Sequence, residues 1–190
     1  MRTTDTATRI LDVAERLVQR QGFNGFSYAD ISKEMGITKA SLHYHFPAKA
    51  ELGRSLIERY DGAFRGALQE IESTAGDPRK KLRRYAELYA DVLRRDRMCL
   101  CGMLAADYTI LPRPMQEAVR TFFDANEAWL SSVLEEGRKR KVLRVHGPAR
   151  EEARLLLGAL EGAMLVARSY GDVSRFSSSA DRLLRDLTAS

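Results

Sequence analysis

Apolar residues recur along this chain at helical rather than strand spacing. Ile10, Leu11, Ala14, Leu17 and Val18 occupy one face of an amphipathic helix, and Gly22 behind them predicts a left-handed stop. Phe23 and Phe26 then fall in a loop. Ser27 with Asp30 three residues on predicts the start of a second helix, which carries Ile31 and Met35 and ends at Gly36. Thr38 predicts the cap of a third short helix, with Leu42 and Phe46 at i, i+4. Pro47 breaks that helix and is expected in the first turn of a fourth, whose apolar side runs from Leu52 through Leu56, Ile57, Phe64 and Leu68 to Ile71.

The same punctuation continues to the end. Gly76-Asp77-Pro78 predicts a stop, a cap and a first-turn proline for a helix reaching about Asp96. Pro112 and Pro114 separate a short helix from a longer one containing Phe122, Phe123, Trp129, Val133 and Leu134. Gly147-Pro148 opens another, and Gly171-Asp172 divides it from a last helix with Leu183, Leu184 and Leu187. The expectation is an all-α fold of about nine helices joined by short loops.

Composition narrows the class only a little. The 190 residues carry 31 Lys+Arg against 26 Asp+Glu, and the surplus is spread along the chain. It permits a nucleic-acid partner without arguing for one. Two cysteines, Cys99 and Cys101, are too few and too close for a secreted disulfide framework. The opening residues hold no apolar run of a secretory signal. The most apolar stretch, 155–167, is interrupted by Glu161 and falls short of the roughly 20 residues a bilayer needs. A cytoplasmic protein with no membrane segment is expected.

The informative stretch is 27–46, where two short helices meet at a glycine turn with Ile31, Met35, Ile37 and Leu42 facing inward and Ser32 small at their approach. That is helix-turn-helix geometry, whose second helix enters the major groove of DNA. Its first residues, Lys39, Ala40 and Ser41, face outward: Lys39 can reach a guanine edge or a phosphate, Ser41 can donate to either, and Ala40 can touch a thymine methyl. A plain helical hairpin with a solvated polar face is the competing reading.

Over residues 6–60 the chain resembles the TetR/AcrR-type one-component transcriptional regulators. The likeness rests on Gly22-Phe23, Asp30-Ile31-Ser32, Met35-Gly36-Ile37-Thr38, Leu42-His43-Tyr44-His45-Phe46, and Lys49 with Leu52. It implies a three-helix DNA-binding head, expected over residues 1–50, and a larger effector-binding and dimerisation body over 51–190. It implies DNA contacts at Ser27, Tyr28, Thr38, Lys39, Ala40, Ser41, His43, Tyr44, His45 and Lys49, with Lys49 holding a phosphate. The family usually has Tyr where this chain has His43, so an imidazole-mediated, weakly pH-sensitive contact is expected there.

The resemblance also implies that helices of the body enclose a small-molecule effector, with Tyr89, Tyr108, Phe122, Asn126 and Trp129 as candidate lining residues; plain core is the alternative for such aromatics. It implies a homodimer through the last two helices, about 148–190, where Gly158, Ala159, Gly162 and Ala163 suit a close helix crossing. Cys99 and Cys101 read either as small packing groups or as sensor thiols activated by Arg94, Arg95 and Arg97. A Cys-x-Cys metal site lacks further ligands. No Gly-x-x-x-x-Gly-Lys-Ser/Thr, His-Glu-x-x-His or Gly-x-Ser-x-Gly motif occurs. The expected function is therefore a ligand-responsive repressor released from a palindromic operator, not an enzyme, with no cofactor or metal. A thiol-based electrophile or oxidant sensor repressor using Cys99 and Cys101 and, outside this class, a cofactor-free helical enzyme are the alternatives.

Overall fold

The computed structural model describes residues 2–188. The helices are α1 Arg2–Gln21, α2 Tyr28–Met35, α3 Lys39–His45, α4 Lys49–Thr74, α5 Pro78–Arg94, α6 Leu100–Ala106, α7 Arg113–Lys139, α8 Ala149–Ser169 and α9 Val173–Asp186, with a 3-10 turn at Tyr108–Ile110. No strand pairing occurs among the described residues beyond a single bridge between Leu143 and Thr188. The fold is all-α, with nine α-helices among the described residues. Two expected boundaries move. Pro47 precedes α4 rather than sitting in its first turn, because the Ala48 carbonyl accepts from Glu51 and Leu52 and so starts the helix. The fifth helix ends at Arg94, two residues before the left-handed Asp96 (φ 55°).

The chain divides into two compact units, residues 1–62 with 99–121, and residues 63–98 with 122–190. In the first, α1 buries Ile10, Ala14 and Val18, and the small helices contribute Ile31, Leu42 and Phe46. Leu52, Leu56 and Ile57 supply the α4 side. Gly53 is required by closeness, since a Cβ there would lie 2.6 Å from the Met115 sulfur and 2.9 Å from the Phe23 ring. Arg59 ties α4 to α1 through Asp12 (2.7 Å) and Glu15 (2.6 Å).

In the second unit α5 packs on α8 and α9, and α8 on α9. Leu82, Tyr85, Tyr89, Leu93, Leu156, Leu160, Met164, Phe176 and Ala180 are buried there. Lys81 is buried as well, and its ammonium donates to Glu72 and to Glu136 (2.7 Å). Arg140 donates both to Glu136 (2.9 Å) and to the Gly76 carbonyl (2.7 Å), so a single ionic cluster joins the ends of α4 and α7 to the start of α5.

Candidate nucleic-acid interface

Two caps set the geometry of the motif. The Ser27 amide and hydroxyl both donate to Asp30, at 2.7 and 2.8 Å, and these bonds hold the Asp30 carboxyl below the usual carboxylate range. Gly36 takes φ 67° and turns the chain out of α2, a conformation that a side chain would strain. Thr38 then caps α3 by accepting the Ser41 amide at 3.1 Å, which leaves its hydroxyl proton free to donate outward.

With Leu42 fully buried, α3 is held against the head by one side and presents the other. Lys39, Ala40, His43 and Tyr44 are exposed, Tyr44 at 77%. Ser41 and His45 are half-buried beside them, and the Tyr44 and His45 rings meet edge to face at 5.2 Å. Lys39 forms no ion pair among the described residues. Ser27 and Thr38 lie exposed at the starts of α2 and α3.

Three of the expected contacts carry internal bonds that sequence reasoning did not foresee. The half-buried Tyr28 hydroxyl donates to the Phe46 carbonyl at 2.7 Å, and burial, with a smaller push from Glu51, raises its pKa to about 12. Its ring lies 4.8 Å from that of His43. His43 Nδ1 is 3.1 Å from the Pro47 carbonyl, which selects the Nδ1-protonated form and leaves Nε2 facing away as an acceptor when neutral. Lys49 donates to the Phe23 and Phe26 carbonyls at 2.5 Å each, with its ammonium 4.7 and 4.2 Å from the two ring centres. Burial lowers its pKa, against the pull of Asp30.

Lys49 thus braces the loop between α1 and α2. Lys49→Met is expected to destabilise the chain by about 2 kcal/mol, because two carbonyls lose a charged donor. Thermal unfolding checks this; an unchanged melting temperature would remove the brace.

Tyr89, Phe122, Asn126 and Trp129 come together in the second unit, and Tyr85 joins them. The Tyr85 hydroxyl donates to Asn126 Oδ1 (3.0 Å) and pairs with the Tyr89 hydroxyl (3.1 Å), while Asn126 Nδ2 donates to the Phe122 carbonyl (2.8 Å). Tyr85 and Trp129 stack at 5.5 Å, and Phe64 meets Tyr85, Tyr89 and Phe122 edge to face. The Trp129 indole N–H is buried without a partner. Tyr85 stands at i, i+4 from Tyr89 on α5. Tyr108 lies on the 3-10 turn of the other unit. Cys99 and Cys101 are buried, and the Cys99 sulfur caps α6 by accepting the Gly102 amide at 3.4 Å. Arg94 is paired with Glu87 and Asp91.

On α8, Leu155, Leu165 and Val166 are more than half exposed, on the same side as Gly158 and Gly162, at which an added Cβ would meet nothing within 4 Å. No helix of the described residues is long and apolar enough to cross a membrane.

A capped helix-turn-helix with an outward α3, joined to a second helical unit, defines a DNA-binding regulator. Residues 10–56 match the family of bacterial regulatory proteins described as the tetR family. A TetR-family transcriptional regulator from Agrobacterium tumefaciens is 35% identical and superposes with a TM-score of 0.95, over 98% of this chain and 100% of that one. A TetR regulator from Legionella pneumophila is 30% identical with a TM-score of 0.86, over 95% and 96% of the two chains. The transcriptional repressor NemR of Escherichia coli (strain K12) is 27% identical over 168 residues, 86% of this chain and 84% of that one. The chain belongs to the TetR family of transcriptional regulators, whose members act on DNA rather than as enzymes.

Proposed function

We propose that this regulator is a repressor that binds a palindromic operator as a homodimer and is released by a small-molecule effector. The observation that carries the DNA half is the exposed row Lys39, Ala40, His43 and Tyr44 on α3. Side chains at the start of such a helix reach base edges, and those at its flanks reach phosphates. Ser27, Thr38, Ser41 and His45 extend the contact set. Tyr28 and Lys49 hold its framework and meet the backbone only as far as their internal bonds allow. The sign of regulation draws on NemR, which is named a repressor.

Lys39→Ala is expected to weaken operator binding by about tenfold. If Lys39 holds a phosphate, the slope of log K against log salt falls by about one; if it reads a guanine, discrimination is lost at one base pair. Binding measured across salt and across operator variants separates the two, and no change in either sense excludes Lys39 from the interface.

For the effector, the reading rests on Tyr85, Tyr89, Phe122, Asn126 and Trp129 of the second unit. The unpaired indole N–H is a donor that an acceptor on an aromatic or apolar molecule would satisfy. An effector that binds best when the two heads are spaced wrongly for DNA lowers operator affinity by its difference in affinity for the two arrangements. The domain reading, a head over 1–50 and a body over 51–190, belongs to the same proposal.

The burial of both cysteines supports packing over thiol sensing, since a reactive thiolate needs access. Replacing Cys99 and Cys101 together by Ser is expected to leave effector response intact and to cost about 1 kcal/mol of stability from two buried hydroxyls. Loss of the response with DNA binding retained would move the trigger to the thiols.

A further inference from the structure

Between α5 and α9 runs a groove of about 240 Å³, lined by Arg79, Leu82 and Arg83 from α5 and by Asp181, Leu184 and Arg185 from α9, with Thr188 beyond. It shares no residue with the aromatic cluster. Its charges do not balance. Arg79 is occupied, donating to both oxygens of Asp77 through Nε and Nη2. Arg83 and Arg185 are exposed and form no ion pair among the described residues, although Asp181 stands four residues before Arg185. The Thr188 hydroxyl donates to the Arg185 carbonyl at 2.7 Å.

Two unpaired guanidiniums and one carboxylate leave the groove one positive charge in excess. Arg79 and Arg83, at i, i+4 on one helix, repel rather than support each other. Leu82 and Leu184, both largely buried, line the groove together with these charges. We propose that this groove is a binding site for a small organic monocarboxylate, whose carboxylate bridges Arg83 and Arg185 and whose apolar stem lies along Leu82 and Leu184. The single excess charge matches a carboxylate; a doubly charged phosphate would reverse it. A planar guanidinium fork suits a carboxylate. Hexanoate, a carboxylate on a short apolar stem, is the simplest probe of that class. Occupation would bridge α5 to α9 and stabilise the folded chain in proportion to ligand concentration.

The test is calorimetric titration of the full chain with sodium hexanoate at low, constant ionic strength, with acetate and inorganic phosphate for comparison. The proteins are wild type, Arg83→Gln, Arg185→Gln and, as a control outside the groove, Lys80→Gln. Saturable hexanoate binding is expected, weakened about tenfold or more in each groove variant, unchanged in Lys80→Gln, and tighter than acetate. Absence of saturation, equal affinity in the groove variants, or phosphate binding as tightly as hexanoate would overturn the proposal.

Discussion

If the chain pairs through α8 as proposed, Gly162→Arg is expected to yield a monomer and to abolish binding to a palindromic operator. On α8, Gly162 is exposed and an added Cβ meets nothing in its own chain. The substitution should therefore leave the subunit folded and should even favour the helix locally, since glycine is a poor helix former. Leu155, Leu165 and Val166 lie exposed on the same side and would supply the apolar part of such a contact. When two such faces cross, the glycines permit close approach, and an arginine there brings a desolvated charge into the contact. A cost of roughly 4 kcal/mol corresponds to a dimer weakened about a thousandfold. Sizing the variant beside wild type checks the prediction. A wild-type chain that is monomeric at about micromolar concentration, or a variant that still dimerises and binds, would contradict it.

The largest effect on stability is expected from Lys81→Ala. Lys81 is only 4% exposed, yet its ammonium is charged and bonded to Glu72 and Glu136. Desolvation alone would lower its pKa; the two carboxylates outweigh that, and the net shift is upward. Removing it takes the ammonium from Glu72, leaves Glu136 with Arg140 alone, and opens a gap at the junction of three helix ends. A buried pair broken from one side typically costs about 3 kcal/mol or more, and the lower end applies because Glu72 and Glu136 keep partial contact with water. For a chain of this length the melting temperature should fall by roughly 10 °C. Glu72→Ala, at the half-exposed partner, should cost less than about 1 kcal/mol.

The same cluster gives stability a pH dependence. The hydrogen bond from Lys81, and that from Arg140, hold the Glu136 carboxyl below its ordinary 4.5. A carboxyl depressed in the folded state stabilises it above the unfolded pKa, so this contribution is complete above about pH 4.5 and is lost as pH falls through the folded value. Lys81→Ala should flatten that acid limb of the stability curve. An acid limb as steep as in wild type would mean other carboxyls set it.

The helix-turn-helix geometry was legible in the sequence because its determinants are local. The Ser27–Asp30 and Thr38–Ser41 caps each close within three residues, the Gly36 turn lies between them, and together they fix which way α3 faces. Leu42 as the buried anchor follows from the same spacing. The roles of Tyr28 and Lys49 were not legible, since each bonds a carbonyl 18 to 26 residues away that no local pattern marks. Lys81 was hidden for the same reason. It looks like one more cation in an Arg-Lys-Lys-Leu-Arg-Arg run until the ends of α4 and α7 bring Glu72 and Glu136 to it. Pro47 misled because proline favours a first turn but does not require one, and the Ala48 carbonyl took the cap.

The central claim, that paired copies of α3 read a two-fold operator, is tested most directly by selecting duplexes from a random-sequence pool with the purified chain. The number of chains bound per selected duplex is then counted. Enrichment of an inverted repeat, with half-sites about one helical turn apart or a multiple of it and an even number of chains per duplex, is the predicted result. Recovery of no common sequence, or of a single unrepeated site bound by one chain, would contradict it.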